Sequence, residues 1–187
     1  MKPTATIIGG SMAGLFAANA LIKKGWDISI HEKVPVPLSG RGAGIATYDD
    51  LAEFVYKATN NSNVLGTTAR SRVSLDLDGN ISASHNYPQV YTSWQYLFTI
   101  LRENIDNKCY FMGDDCIGIK QINNKAIALF ESGKEKKSDL IIINGIGFES
   151  WVDSFNENTY HGKIIDTSNG ILAKESKEDE HEDEHGH

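Results

Sequence analysis

The first 33 residues contain the feature that most constrains the fold. Residues 5–33 read "ATIIGGSMAGLFAANALIKKGWDISIHEK". "TATIIGG" predicts a short buried strand that ends at glycine, residues 12–24 predict a helix, and "WDISIHE" predicts a second strand. A strand, a helix and a strand in this order form parallel strands joined by a right-handed crossover. The sequence therefore predicts an α/β protein with a parallel sheet.

The turn between the first strand and the helix has the residues of a dinucleotide-binding motif. Gly9 permits a tight turn, Gly14 allows the helix to pack close to the strand, and Ser11 takes the place of the usual middle glycine. Glu32, at the end of the second strand, is positioned to accept hydrogen bonds from ribose hydroxyls. FAD and NAD both contain the ADP half that such a motif binds, and NADP is disfavoured because Glu32 would repel its 2'-phosphate. The alternative is a strand–helix–strand unit whose glycines only form the turn.

Further along the chain, the residue pattern predicts more helices and strands. Trp94, Leu97, Phe98 and Leu101 have helical spacing, and Asp78-Gly79 is typical of a hairpin turn. The predicted elements are a loop over "PVPLSGRGAGIATY", a helix over 48–58, a hairpin within 64–91, a helix over "TSWQYLFTILRENI", a strand at 108–112, a hairpin at 115–131 and a buried strand "DLIIING".

Charge and cysteine content narrow the function classes. The net charge is -7, and the acidic segment "KESKEDEHEDEHGH" carries most of it. The rest is close to neutral, which argues against nucleic-acid binding. Cys109 and Cys116 lack metal-site spacing and are expected to be reduced thiols. With no signal peptide or membrane-spanning run, the expected location is the cytoplasm, with no membrane association. The tail, residues 173–187, is expected to be disordered, and its histidines are not expected to form a metal site.

Several segments together resemble a known family, the FAD-dependent aromatic-ring monooxygenases of the hydroxybenzoate, salicylate and 2,6-dihydroxypyridine hydroxylase type. The N-terminal segment is similar to their FAD motif, and "GRGAGI" (40–45) resembles their glycine-rich segment near the flavin. "TSWQYLFTIL" (92–101), "KKSDLIIINGIGFESWV" (136–152) and "TYHGK" are similar to later segments of the family, in the family's order. The resemblance is to the family's N-terminal portion.

The resemblance implies a cofactor site but no specific catalytic residue. FAD would be the cofactor and NAD(P)H the co-substrate, and oxygen would be used to hydroxylate a ring. Arg41 and Arg102 have surface charge as the alternative interpretation, and Trp94 is more simply a core residue than a flavin neighbour. The implied cofactor-binding residues are Gly9, Ser11, Met12, Ala13 and Gly14 at the pyrophosphate, Glu32 at the ribose, Lys33 with no part of the cofactor assigned to it, Arg41, Gly44 and Ile45 towards the flavin, Arg102 at a phosphate and Cys116 beside the adenine through its backbone.

Two departures from the family affect the expected function. Ile146-Gly147 stands where the family has Asp-Gly, and the family's second FAD motif and most of its substrate domain have no counterpart. The expected organisation is a Rossmann-like FAD-binding domain over 1–172, in which 64–91 and about 158–172 are partial substrate-domain strands. The expected function is that of a truncated FAD-binding oxidoreductase acting on a small aromatic or heteroaromatic substrate. The alternative is a non-catalytic nucleotide-binding remnant, or a subunit that needs a complementing chain or a second copy.

Overall fold

The computed structural model describes residues 1–40, 42–60, 64–123 and 125–143, with three α-helices and ten strands among them. Arg41, Ile146-Gly147, "TYHGK", the strands predicted at 158–172 and the tail lie outside the described residues. The helices are α1 (Met12–Lys23), α2 (Asp49–Thr59) and α3 (Trp94–Glu103). The strands are β1 (Thr4–Ile8), β2 (Asp27–Glu32), β3 (Gly44–Ala46), β4 (Thr67–Leu75), β5 (Ile81–Ser93), β6 (Tyr110–Met112), β7 (Cys116–Ile122), β8 (Lys125–Phe130), β9 (Glu135–Ser138) and β10 (Leu140–Ile143).

A four-stranded parallel sheet with the order β10-β1-β2-β6 forms the centre of the fold. β1 is one of its two middle strands, and its residues Ala5 to Ile8 are buried. Successive side chains on a strand point to opposite faces, so a middle strand covered on both faces is apolar almost throughout. The carboxyl ends of β1, β2 and β6 lie at one edge of this sheet, which is where parallel sheets commonly bind ligands.

The three helices form a hydrophobic core with one face of the parallel sheet. Ile7 and Ile30 from the sheet and Leu15, Leu97 and Leu101 from the helices are almost completely buried there. The helix α1 is rich in alanine and leucine, which favour helical structure. It ends where Gly25 takes a φ of +82°, a conformation that glycine adopts at low cost.

The other face of the parallel sheet packs against the antiparallel sheet β7-β8-β9. Ile8, Cys116, Ala128 and Phe130 are the buried residues of this smaller core. The third sheet, β3-β5-β4, is also antiparallel, and most of its residues are exposed. The parallel sheet thus lies between a helical layer and a β layer. The predicted α/β class with a parallel sheet is confirmed.

The described elements match the predicted ones closely, with three differences. The predicted loop at 35–48 contains the short strand β3, which pairs with the end of β5. The strand predicted at 108–112 begins at Tyr110, because residues 107–109 form a turn of 3₁₀ helix. The sequence does not predict the strand β9, because "EKKS" has no apolar residue and only its pairing with β8 makes it a strand.

Candidate cofactor-binding site

The turn between β1 and α1 brings backbone atoms into close contact. Gly9 has a φ of +98°, and its N–H donates to the carbonyl of His31 at 2.9 Å. A Cβ atom on Gly14 would lie 1.9 Å from the carbonyl oxygen of Gly9. The helix can therefore approach the strand this closely only if residue 14 is glycine, which is the role that the sequence motif predicts for it.

The beginning of α1 carries the features of an anion-binding helix terminus. Ser11 lies before the first helical residue in an extended conformation, and its side chain makes no capping hydrogen bond. The first turn contains no acidic residue. The first N–H groups of a helix lack acceptors within the helix, and this end has a partial positive charge. Here those groups belong to Met12, Ala13 and Gly14, and they suit a phosphate oxygen.

Glu32 lies at the same turn. Its side chain is buried, its Oε2 accepts from the N–H of Gly10 at 2.8 Å, and its Oε1 accepts from the N–H of Val34 at 3.0 Å. The carboxylate therefore fixes the turn to the end of β2. An ionised carboxylate has about four acceptor positions, so these two bonds leave capacity for further donors. The predicted ribose contact remains a prediction.

Tyr110 also contacts the turn, and no sequence motif identifies it. Its hydroxyl donates to the carbonyl of Gly10 at 2.9 Å. The guanidinium carbon of Arg102 lies 4.2 Å from the centre of the Tyr110 ring. Burial, reinforced by the negative charge of Glu32 and partly opposed by Arg102, raises the pKa of Tyr110 to about 12. The hydroxyl is therefore protonated at neutral pH and can act as the donor.

Arg102 makes local contacts near the end of α3. Its guanidinium donates to the carbonyl of Ile105 at 3.0 Å and to Oδ1 of Asn107 at 2.7 Å. Together with Glu103 and Asp106, these residues line a shallow cavity of about 580 Å³. Within the described residues, the link from Arg102 to the turn runs through the Tyr110 ring, and its contact with a phosphate remains a prediction.

The other residues implied by the resemblance occupy different parts of the fold. Lys33 is exposed directly after β2. Gly44 and Ile45 lie in β3, opposite Ser93 and Thr92 of β5. Cys116 is buried on the opposite face of the parallel sheet, in the cluster that includes Ile8 at the end of β1. Their contacts with a cofactor remain predictions.

A buried network of three polar side chains lies beside Glu32, and the sequence pattern does not predict it. Nδ1 of His31 lies 2.9 Å from the Asp114 carboxylate, and its Nε2 lies 3.1 Å from Oγ of Ser29. Burial lowers the pKa of His31, the Asp114 carboxylate opposes this shift, and Lys134 and Lys136 add to it. All three residues of this polar network are more than 90% buried. The N–H of Asp114 donates to the carbonyl of Glu32 at 3.1 Å, so this polar network holds the end of β2 in place.

Other kinds of site find no support in the part of the chain that the structure describes. No group of three or more His, Cys, Asp or Glu residues is arranged there to hold a metal ion. Cys109 is half-buried and Cys116 is buried. None of the helices there has both the length and the apolar character needed to cross a membrane.

The residues at the turn fit the ADP portion of a dinucleotide. The glycine contacts keep side chains away from the backbone, the helix start is uncapped, and a buried carboxylate lies at the adjacent strand end. In doubly wound α/β proteins, these are the positions of the pyrophosphate and the ribose.

Curated proteins of similar sequence are monooxygenases and related enzymes. No protein-family model matches the chain. It is 26% identical over 146 residues to the 2,6-dihydroxypyridine 3-monooxygenase of Paenarthrobacter nicotinovorans, covering 76% of this chain and 37% of that protein. It is 25% identical over 156 residues to a putative 2-heptyl-3-hydroxy-4(1H)-quinolone synthase of Rhodococcus erythropolis, covering 78% and 40%. The chain thus spans about two fifths of the length of the relatives it matches.

Solved structures share the fold. The 2,6-dihydroxypyridine-3-hydroxylase of Arthrobacter nicotinovorans has a TM-score of 0.67 and 24% identity, with 75% of this chain and 36% of that chain covered. Klebsiella pneumoniae HpxO complexed with FAD and uric acid has a TM-score of 0.66 and 17% identity, with 80% and 40% covered. The sequence relationship and the shared Rossmann-like α/β fold together confirm that this chain resembles part of the FAD-dependent aromatic-ring monooxygenases.

Proposed function

We propose that this chain binds FAD and contributes to the NAD(P)H- and oxygen-dependent hydroxylation of a small aromatic or heteroaromatic ring. The observation that carries the proposal is the meeting of three features at one turn: the uncapped start of α1, the close contact of Gly14 with Gly9, and the buried Glu32 carboxylate. The related monooxygenases and the FAD complex of a structural neighbour support FAD as the dinucleotide.

Each part of the turn has a distinct role in this proposal. The N–H groups of Met12, Ala13 and Gly14 bind the pyrophosphate, with Ser11 contributing its hydroxyl. Glu32 accepts hydrogen bonds from the ribose hydroxyls with the acceptor positions that Gly10 and Val34 leave open. Its negative charge disfavours a 2'-phosphate, so the site selects against NADP.

The remaining cofactor contacts are proposed from the family resemblance. Arg41, Gly44 and Ile45 are assigned to the flavin side, Cys116 offers its backbone to the adenine, and Lys33 is a cofactor-binding residue without an assigned part of the cofactor. When bound, FAD supplies the redox chemistry with NAD(P)H and oxygen, and the protein supplies orientation and shelter from water.

The test is a titration of the purified chain with FAD, in which the quenching of flavin fluorescence measures binding. NAD and NADP are added in parallel titrations as competitors, and their affinities are measured from the displacement of FAD. Glu32→Gln should weaken FAD binding by about 1.5–3 kcal/mol, because a hydrogen bond to a charged group is lost. The amide that replaces the carboxylate also cannot accept from both Gly10 and Val34, so the variant should have a lower melting temperature, and both proteins are titrated well below it.

Glu53→Gln is the matched control. It makes the same substitution in an exposed ion pair on α2 and should leave FAD affinity unchanged. Tighter binding of NAD than of FAD would reassign the site to a nicotinamide cofactor, and no binding of either would reject the proposal. NAD(P)H oxidation with added FAD and ring substrates separates a catalytic chain from one that only binds nucleotide.

A further inference from the structure

The peptide groups on either side of Gly10 are held by two side chains that are distant in the sequence. The N–H of Gly10 donates to Oε2 of Glu32 at 2.8 Å, and its carbonyl accepts from the Tyr110 hydroxyl at 2.9 Å. Both side chains are buried. The protein itself therefore fixes the conformation of the turn from two directions.

The position of Tyr110 in the sheet makes this contact precise. Tyr110 is the first residue of β6 and lies opposite Ile30 in the parallel register, on the helical side of the sheet. A Cβ atom on Gly10 would lie 2.2 Å from the Tyr110 hydroxyl oxygen. A side chain at residue 10 would therefore displace the Tyr110 ring, whereas a side chain at residue 14 would meet the backbone of Gly9.

The direction of the next N–H group follows from peptide geometry. In a planar trans peptide, the carbonyl and the following N–H point in opposite directions. The carbonyl of Gly10 points towards the buried Tyr110 hydroxyl, so the N–H of Ser11 points away from it. The Tyr110 hydroxyl thus sets the orientation of the Ser11 N–H, directly before the first residue of α1.

Arg102 supports the ring that carries this hydroxyl. Its guanidinium lies over the ring, and its hydrogen bonds to Ile105 and Asn107 hold it there. Because the pKa of Tyr110 is raised to about 12, the hydroxyl keeps its proton throughout the neutral and mildly alkaline range.

We propose that Tyr110 is a positioning residue for the cofactor: its hydrogen bond to Gly10 orients the N–H of Ser11 towards the pyrophosphate, beside the N–H groups of the first turn of α1, and so raises the affinity for FAD. This inference rests on the proposed function. A pre-ordered turn spends less binding free energy on its own ordering when the ligand arrives.

The test compares FAD and ADP binding by wild type and Tyr110→Phe, which keeps the ring and removes only the hydroxyl. A neutral hydrogen bond contributes about 0.5–1.5 kcal/mol, so both dissociation constants should rise by about two- to thirteenfold, and by the same factor. The same factor is expected because FAD and ADP share the pyrophosphate. Tyr96→Phe is the matched control, since that exposed hydroxyl lies 3.4 Å from the Val64 carbonyl, away from the turn.

Each outcome separates this inference from the proposed function. Equal loss of FAD and ADP affinity in Tyr110→Phe, with Tyr96→Phe unchanged, supports the positioning role. A lower melting temperature with both affinities within twofold of wild type overturns it and leaves a purely structural tyrosine, while FAD binding stands. Loss of FAD affinity with ADP affinity retained also overturns it, because the effect would not lie at the pyrophosphate. Failure of wild type to bind either ligand rejects both proposals.

Discussion

The turn at the end of β1 and the hairpin of β4 and β5 show opposite ways in which one chain specifies structure. At the turn, Gly10 and Gly14 each have a neighbour within 2.2 Å of the place where a Cβ atom would lie. In the hairpin, residues 71–87 are exposed on both faces, and apolar side chains such as Leu75 and Ile81 are at least 60% exposed. The structure of the turn depends on close contacts at individual glycines, whereas the structure of the hairpin depends on the backbone hydrogen bonds between its two strands.

The hairpin obtains its remaining order from local polar contacts. The Asp76 carboxylate accepts from the N–H groups of Asp78 and Asn80, which closes the turn. The Arg72 guanidinium lies over the Tyr87 ring at 4.5 Å. None of these contacts requires close packing in a core. Side-chain substitutions in the hairpin should therefore destabilise the protein much less than those at the β1 turn.

Between the turn and the hairpin, the larger effect of a single substitution is expected at Gly14. Gly14→Ala places a methyl group against the Gly9 carbonyl and should destabilise the fold by about 1–3 kcal/mol, as overpacking does. Alanine in a helix is otherwise favoured over glycine by about 1 kcal/mol, so a loss would identify the contact as its cause. Gly14→Val, with a branched side chain, should be worse.

Gly118→Ala is the control for this substitution. Its added Cβ would meet only the Leu129 side chain, at an ordinary 3.7 Å. The measurement is urea unfolding of both variants beside wild type. Equal stability of Gly14→Ala and wild type would show that the helix can move away from the strand, and that the turn is no more constrained than the hairpin.

A smaller effect is expected from acidification, acting through His31. Burial lowers the pKa of His31 in the folded state, whereas the unfolded value is about 6.5. Between these two values the unfolded chain binds a proton that the folded chain does not. The stability contributed by His31 is therefore present above pH 6.5 and is lost as the pH falls towards the folded pKa.

The measurement is the melting temperature of wild type and His31→Gln at pH 7.5 and at pH 5.5. Wild type should lose more on acidification than the variant, whose amide can still donate to Asp114. Matching losses in the two proteins would assign the pH dependence to other groups. His85→Gln, at an exposed histidine of the hairpin, is the matched control variant.

The smallest effect is expected in the hairpin. Leu75→Ala should change the free energy of unfolding by no more than about 0.5 kcal/mol, because the side chain is 60% exposed. Leu97→Ala, at a residue that is 1% exposed, should lose about 2–5 kcal/mol in the same experiment. A loss well above 1 kcal/mol at Leu75 would mean that something covers the hairpin in solution, and the comparison with the turn would fail.

The sequence predicts the turn after β1 better than it predicts the distant residues that hold the turn and the end of β2 in place, because only the turn follows from local patterns. The elements β1, α1 and β2 follow from local patterns, because strand, turn and helix signals lie within 33 residues. Tyr110 lies 100 residues from Gly10, and Asp114 lies 83 residues from His31. Each of these residues has an ordinary local setting, and only the pairing of β6 with β2 brings it to the site.

The hairpin shows the reverse limit. Its Asp78-Gly79 turn correctly predicts two paired strands. Alternating apolar residues normally indicate one buried face, but here Val73, Leu75 and Ile81 are exposed. Strand pairing can be read from local residues, whereas burial depends on which other elements pack against the strand.

The pairing of β1 with β10 has a consequence for synthesis of the protein. Thr4 bonds to Asp139, 135 residues further along the chain. At about 5–20 residues per second, the ribosome needs on the order of ten seconds to add that length. During that time one edge of β1 has no partner strand, and its backbone N–H and C=O groups are open to pairing with another chain. The nascent protein should therefore need chaperone protection until β10 emerges, and its yield should respond to chaperone supply more strongly than its final stability suggests.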